Sequence, residues 1–412
     1  MNLERLSNQL NQISEPDKKV ASEAKQRWDS VAKPLGSLGL LEDALIRIAA
    51  LTGSADIDLS VRRLYLMCAD NGVVAQNVTQ TGSEVTARMA DSFAAGKSSA
   101  CRMAKVANCQ VEAVDLGILN YPGNPGVRNC RIANGTADIT QKPAMTKAEL
   151  YRCIETGIGL VKCAKEDRVK LLVTGEMGIG NTTTSSAVAS VLLGCDPLLV
   201  TGRGAGLSDS GLSRKLEAIK KAIKLHHPDP EDPLSVLSML GGFDIAGMVG
   251  LYLGGALYQV PVLIDGVISA VAALLAVKIC PASKKAMLAT HVSAEPAGCM
   301  ILDAIGLEPM ITAGMRLGEE PVRCARFRCW IWRAASIRVL HSESFRSRRM
   351  KSRTASCKEA ENGKEEGYAD IDCGRKREWK ERFCGKLRDG SRRKPYLHRN
   401  DAADGQRMSG TD

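Results

Sequence analysis

Five short apolar runs punctuate this 412-residue chain, and each stops at a polar or glycine-containing turn. The runs are Leu64–Cys68, Val111–Leu116, Leu171–Thr174, Val260–Ile264 and Met287–Thr290. Their turns are Ala69-Asp70-Asn71-Gly72, Asp115-Leu116-Gly117, Gly175-Glu176, Asp265-Gly266 and His291-Val292-Ser293. Apolar runs of this length, bounded by turn residues and separated by helical stretches, read as strands buried on both faces. Strand, loop and helix in repetition predict an α/β fold: a three-layer, mostly parallel doubly wound sheet. In such sheets ligands bind beyond the carboxyl ends of the strands, which is where these turns fall, so one shared site is expected.

Composition sets the domain boundaries. Residues 1–60 read as a small helical subdomain and 61–319 as an α/β catalytic domain. From Glu320 the apolar periodicity fades. Residues 320–412 hold 24 Lys/Arg against 14 Asp/Glu, which leaves 32 of each sign in residues 1–319. The whole net charge of +10 therefore belongs to the tail, and a nucleic-acid-binding reading would rest on the tail alone. The 14 cysteines lack ligand spacing and there are five histidines, so no metal site or disulfide framework is expected. Met1 to Gln26 is polar and charged, unlike a secretory signal, and the apolar stretch Val260 to Val277 is interrupted by Asp265, Gly266 and Ser269. A cytoplasmic protein without membrane contact is the expectation.

The richest stretch is Gly175-Glu176-Met177-Gly178-Ile179-Gly180-Asn181-Thr182-Thr183, set between a strand and a helix. Glycines there let bare N–H groups approach an anion, and the helix N-terminus adds partial positive charge. No Gly-Lys-Ser/Thr closes the loop, so it is not the nucleotide P-loop. A second loop, Gly202-Arg203-Gly204-Ala205-Gly206, precedes Lys215 on a predicted helix. Two glycine-rich loops with basic residues nearby favour a phosphorylated small molecule. Glu176 beside a phosphate site is unfavourable unless it handles a proton. Bland readings stand beside these: Met89 and Met177 as core, His291 as a strand-end hydrogen-bonder, Asp70 and Asp265 as helix caps.

Taken in order, the motifs carry a resemblance. They are Lys33-Pro34-Leu35-Gly36-Ser37-Leu38-Gly39, Ala69 to Val73, Gly175 to Thr183, Gly202-Arg203-Gly204 and Gly241-Gly242-Phe243-Asp244-Ile245-Ala246. Asp265-Gly266, His291 to Pro296 and Arg316-Leu317-Gly318-Glu319 complete the set. Over residues 1–319 the chain resembles the nicotinate-nucleotide–dimethylbenzimidazole phosphoribosyltransferases. The resemblance implies transfer of phosphoribose from nicotinate mononucleotide to a benzimidazole, without cofactor or metal, by a homodimer. It implies that Glu319 is the general base and that Glu176 helps to hold or deprotonate the benzimidazole. Gly178, Gly180, Asn181, Gly202, Gly204 and Lys215 match the phosphate and ribose side. Asp265, Gly266, Ser293 and Arg316 match the nicotinate and ribose side, and Thr81, Met89 and Met177 the benzimidazole slot.

After Glu319 the family pattern breaks. The family continues Gly-Thr-Gly-Ala and then a helix of the type Ala-Leu-Pro-Leu-Leu-Asp-Met-Ala, whereas this chain reads Glu320-Pro321-Val322-Arg323 and on to Cys329-Trp330-Ile331-Trp332-Arg333. Shifting the reading frame by one base turns Trp330 into Leu, Ile331 into Asp and Trp332 into Leu or Met, and allows Gly-Thr-Gly-Ala for residues 320–323. The tail thus reads as an out-of-frame translation, and the C-terminal helices that would brace Glu319 are replaced by it. A chain so mixed in charge cannot bury enough apolar surface to offset the roughly 1–2 kcal/mol per residue of ordering entropy, so it is expected to be disordered. Limited proteolysis should trim the protein to a core ending near residue 320, read by mass spectrometry. A protease-resistant 320–412 segment would contradict the frame assignment.

Overall fold

In the segment Arg62–Ala69, alternate residues belong to different cores: Tyr65, Met67 and Ala69 to one, Leu64, Leu66 and Cys68 to the other. That is the period-two pattern of a strand covered on both faces. The computed structural model describes residues 2–315. Three helices open the chain, α1 (Leu3–Leu10), α2 (Lys18–Asp29) and α3 (Leu40–Thr52). The strand β1 (Arg62–Ala69) leads through a 3-10 turn, Gly72–Gln76, to α4 (Glu84–Ala94), α5 (Ser99–Val106), β2 (Cys109–Gly117) and β3 (Val127–Asn129). Next come α6 (Lys147–Glu166), β4 (Leu171–Met177), α7 (Asn181–Leu193), α8 (Pro197–Val200), α9 (Asp209–His226), α10 (Pro233–Leu240) and α11 (Phe243–Leu257). The described chain finishes with β5 (Val262–Ile264), α12 (Val267–Ile279), β6 (Met287–Ala289), β7 (His291–Ser293), α13 (Ala297–Ile305) and β8 (Ile311–Met315).

Six strands form one sheet in the order β3-β2-β1-β4-β5-β6, every pair parallel. β7 and β8 form a separate parallel pair. On one face lie α6, α7, α10, α11, α12 and α13, whose apolar side chains join Tyr65, Val114, Leu172 and Val262. On the other, Trp28, Leu45 and Ile48 of the N-terminal helices and Phe93, Cys101 and Ala104 of α4 and α5 join Leu64, Leu66 and Val173. The expected three-layer α/β sheet is therefore met. Each of the five apolar runs contains a strand, though β5 begins only at Val262 and β6 ends at Ala289. The short β3, with one buried residue in three, carries too little apolar pattern to be read from sequence.

Two details differ from the sequence reading. β4 does not stop at Thr174: it pairs with β1 through Leu66↔Gly175, Met67↔Glu176 and Cys68↔Met177. The long partner strand keeps the ladder going through a glycine that alone signals a turn. Glu176 is thus a strand residue, not a loop residue. Likewise His291-Val292-Ser293 is strand rather than turn, because it pairs with β8.

α11 is held between the sheet and α6 by close backbone approach. A Cβ on Gly157 of α6 would stand 2.2 Å from the Gly247 carbonyl oxygen, and one on Gly250 would stand 2.3 Å from that of Ile154. Gly159, on the same helix, has open space and an ordinary helical backbone. We predict opposite effects of one substitution two residues apart. Gly157→Ala should destabilise by about 1–3 kcal/mol, the range for overpacking. Gly159→Ala should stabilise by roughly 0.5–1 kcal/mol through helix propensity. Urea denaturation of both variants checks this, and equal effects would contradict the packed seam.

Candidate active site

The chain winds outward from β1 to β3, then restarts at β4 on the other side of β1. Between β1 and β4 the winding reverses, and beyond their carboxyl ends such sheets open a crevice. Glu176 is the penultimate residue of β4, half-buried. Asn181, the buried first residue of α7, donates from its single side-chain nitrogen to Glu176 Oε2 at 2.5 Å and to Asp244 Oδ2 at 2.8 Å. Gly178 makes this possible, since a Cβ there would lie 2.3 Å from the Ala69 carbonyl oxygen and 2.7 Å from Asp244 Oδ2. Gly180 supplies φ +95 at the N-cap of α7, a left-handed conformation that side chains resist.

Asp70 and Asn71, just past β1, lock this corner. Asp70 accepts from the Thr86 hydroxyl of α4 at 2.6 Å and from the Leu119 N–H at 2.8 Å, so it brackets α4 to the end of β2 instead of capping a helix. Burial pushes its pKa up. Thr86 in turn accepts from the Ile179 N–H at 3.2 Å, and the Asn71 N–H donates to the Ile179 carbonyl at 3.3 Å. The glycine-rich loop is thus pinned from both sides.

Asp244, in the first turn of α11, is 0 % exposed. Burial, offset in part by the Asn181 hydrogen bond, raises its pKa to about 6. The folded value lies above the model-peptide value of 3.8, so the folded state binds the proton more tightly. The resulting stability is full below about pH 4 and is lost as pH rises through 6. Keeping this carboxylate ionised at neutral pH therefore costs the fold about 3 kcal/mol. Such groups concentrate at functional sites.

The second glycine loop joins the first through Lys215 of α9. Its ammonium is buried and donates to Thr182 Oγ1 at 3.0 Å and to the Gly202 carbonyl at 3.1 Å. Burial lowers its pKa to about 8, and the Glu295 charge opposes the shift. A Cβ at Gly202 would collide with the Glu295 carboxylate, and one at Gly204 would lie 3.0 Å from Thr182 Oγ1. Thr182 follows Asn181, so the two loops share the first turn of α7. A nearly buried cation facing that turn, between two glycine loops, supplies the positive charge and close backbone that binding a phosphate-sized anion requires.

The remaining sequence candidates surround these two groups. Asp265 follows β5, its N–H donating to the Ser269 hydroxyl at 3.0 Å, and Gly266 holds the N-cap position of α12 with no side-chain cap. Ser293 lies in β7 and accepts from the Glu295 N–H at 3.2 Å. Met89 of α4 and Met177 of β4 pack half-buried against the same core face, whereas Thr81 is exposed. His291 is buried, with Nδ1 3.1 Å from the Thr290 hydroxyl. Arg316 and Glu319 lie outside the described residues. Sequence reasoning gave no role to Asp244, Thr86, Thr182 or Glu295. For Asp244 a signal existed: a lone acid between Gly242-Phe243 and a wholly apolar helix.

A family profile described as phosphoribosyltransferase matches residues 13–322. The nicotinate-nucleotide–dimethylbenzimidazole phosphoribosyltransferase of Ruminiclostridium cellulolyticum is 44% identical over 310 residues, 75% of this chain and 88% of that protein. The enzyme of the same name from Clostridium acetobutylicum is 43% identical over 319 residues, 77% of this chain and 90% of its own length. Among solved structures, CobT from Thermus thermophilus superposes with a TM-score of 0.73 at 35% identity, covering 78% of this chain and 96% of that one. The chain belongs to this phosphoribosyltransferase family.

Proposed function

We propose that the protein transfers the phosphoribosyl group of nicotinate mononucleotide to 5,6-dimethylbenzimidazole, releasing nicotinate and α-ribazole 5'-phosphate for the nucleotide loop of cobalamin. The observation that carries this reading is the meeting of an anion cradle and a proton-accepting carboxylate on one helix turn. Thr182 faces Lys215 while its neighbour Asn181 holds Glu176. The relatives' names supply the substrates.

Lys215, Gly202, Gly204, Gly178 and Gly180 hold the 5'-phosphate. Asp265, Gly266, Ser293 and Arg316 take the ribose and nicotinate, and Thr81, Met89 and Met177 line the benzimidazole slot. The C–N bond of the nucleotide breaks with its electron pair returning to the pyridinium nitrogen, so nicotinate leaves without an acid. A benzimidazole nitrogen forms the new bond on the opposite face, which inverts the anomeric carbon from β to α. The other ring nitrogen gives up its proton to a carboxylate, Glu319 as base with Glu176 as its partner. Residues 61–319 carry this chemistry, residues 1–60 pack helices against both of the sheet's cores, and the enzyme works as a cytoplasmic homodimer. Among the described residues no helix is long and apolar enough to cross a membrane.

A second reading has its own support. The family match stops at residue 322, and the alignments cover 88% and 90% of the length of two relatives. With residues 320–412 read out of frame, this copy keeps the nucleotide cradle but leaves Glu319 unbraced, a binding remnant without turnover. Sequencing across the Glu319 codon and assaying a frame-restored protein separate the two. Restored enzyme should form α-ribazole 5'-phosphate, and Glu319→Gln should lower kcat by roughly a hundredfold. Full activity in that variant would remove Glu319 from the mechanism.

The cradle can be tested in the chain as it stands. A Lys215 amine titrating near 8 must be protonated to hold a phosphate dianion. Affinity for nicotinate mononucleotide, by calorimetry, should therefore weaken as pH rises past about 8. Lys215→Met should bind at least about tenfold more weakly, with no further loss of affinity as the pH is raised. A pH-independent wild type would take Lys215 out of the phosphate site.

A further inference from the structure

One carboxylate at the strand ends has no part in the proposed chemistry. Asp244 is completely buried, and among the described residues only backbone N–H groups of its own helix turn, apart from Asn181, face its carboxylate. A buried carboxylate without a cation is costly to keep charged, and an apolar or amide side chain would suit the fold better. Its Oδ2 accepts from the nitrogen that also serves Glu176. That nitrogen carries two hydrogens, one for each carboxylate. If the Asn181 amide flipped, its carbonyl oxygen would face two anions.

We propose that Asp244 is a positioning residue for Glu176: it fixes the Asn181 amide with its nitrogen toward Glu176 and, through its charge, makes Glu176 a stronger acceptor for the benzimidazole N–H proton. The inference rests on the functional reading given above. Two carboxylates bridged by one nitrogen in a buried corner are close enough for each charge to favour the protonated form of the other. The titratable groups around Asp244 are Glu176 on β4, Asp70 just past β1, the Cys68 thiol on β1 and the buried Cys153 thiol on α6, while α7 contributes the neutral Asn181. The Cys68 thiol is pushed far up by burial first and then by Asp115, Glu176 and Asp244, so it stays neutral. Among the described residues no cation pairs with Asp244.

The test uses the full chain labelled with carboxyl-13C glutamate. The Glu176 signal is identified by its disappearance in Glu176→Gln, and its titration is followed by NMR. The two carboxylates titrate as a coupled pair, so Asp244→Asn should lower the upper step of the Glu176 titration, its midpoint here, by about one pH unit and weaken 5,6-dimethylbenzimidazole binding at pH 8 roughly tenfold. Asn181→Ala, which keeps the Asp244 charge and removes the bridge, should move the midpoint upward while also weakening binding. These opposite shifts are not expected of a merely structural residue, and the second variant carries the test if the first fails to fold. An unmoved midpoint in Asp244→Asn, or a downward shift in Asn181→Ala, overturns the positioning role. Wild-type chain that takes up no dimethylbenzimidazole overturns instead the functional reading on which the inference rests.

Discussion

The parallel pairing of β1 with β4 is the constraint from which the site follows. Its register carries Met67 and Cys68 of β1 alongside Glu176 and Met177 of β4. Without those last pairs Glu176 would sit on a free loop. With them, its backbone is held by the sheet, and only its side chain needs orienting. The reversal of winding at this same junction leaves the strand ends uncovered. Sheet topology thus provides the opening, and the ladder provides the rigid edge from which the carboxylate projects.

The start of α7 then carries an unusual polar load. Asn181, Thr183, Thr184, Ser185 and Ser186 are all buried. Thr184 donates to the Asn181 carbonyl, and Ser186 to the Thr182 and Val200 carbonyls, but Thr183 Oγ1 and Ser185 Oγ have no partner. A helix start built for stability alone would carry apolar residues there. This one trades packing for hydroxyls around the place where two glycine loops meet.

Much of this was legible in the sequence, for physical reasons. Buried parallel strands are continuous apolar runs, so five of the sheet's six strands announced themselves, and the glycines flagged where backbone had to come close. The loop pair 175–183 and 202–206 was visible as pattern, but its joining was not, because Lys215 reaches Thr182 and Gly202 by tertiary folding alone. β3 was hidden by its exposed residues and β7 by its polar ends, His291 and Ser293. Asp244 was in plain view within a motif, yet a lone acid at a helix start reads as a dipole partner. Only its complete burial and its tie to Asn181 give it another meaning. Glu319 and Arg316 remain on the sequence side of the comparison, beyond the described residues.

The glycine seam between α6 and α11 has an effect beyond packing. Elsewhere in the core, flexible side chains lie between one backbone and the next and can absorb a small displacement. At Gly157, Gly247 and Gly250 main chain lies directly on main chain, and a Cβ on Gly247 would in turn meet Leu116 at 2.5 Å. Asp244 stands on the first turn of α11, within one to two turns of Gly247 and Gly250. A change at the seam would therefore be passed on to the carboxylate pair with little side-chain packing between to absorb it. Drift in the helix interface and drift in the acid–base corner are therefore not independent in this fold: a lineage that loosens one must retune the other.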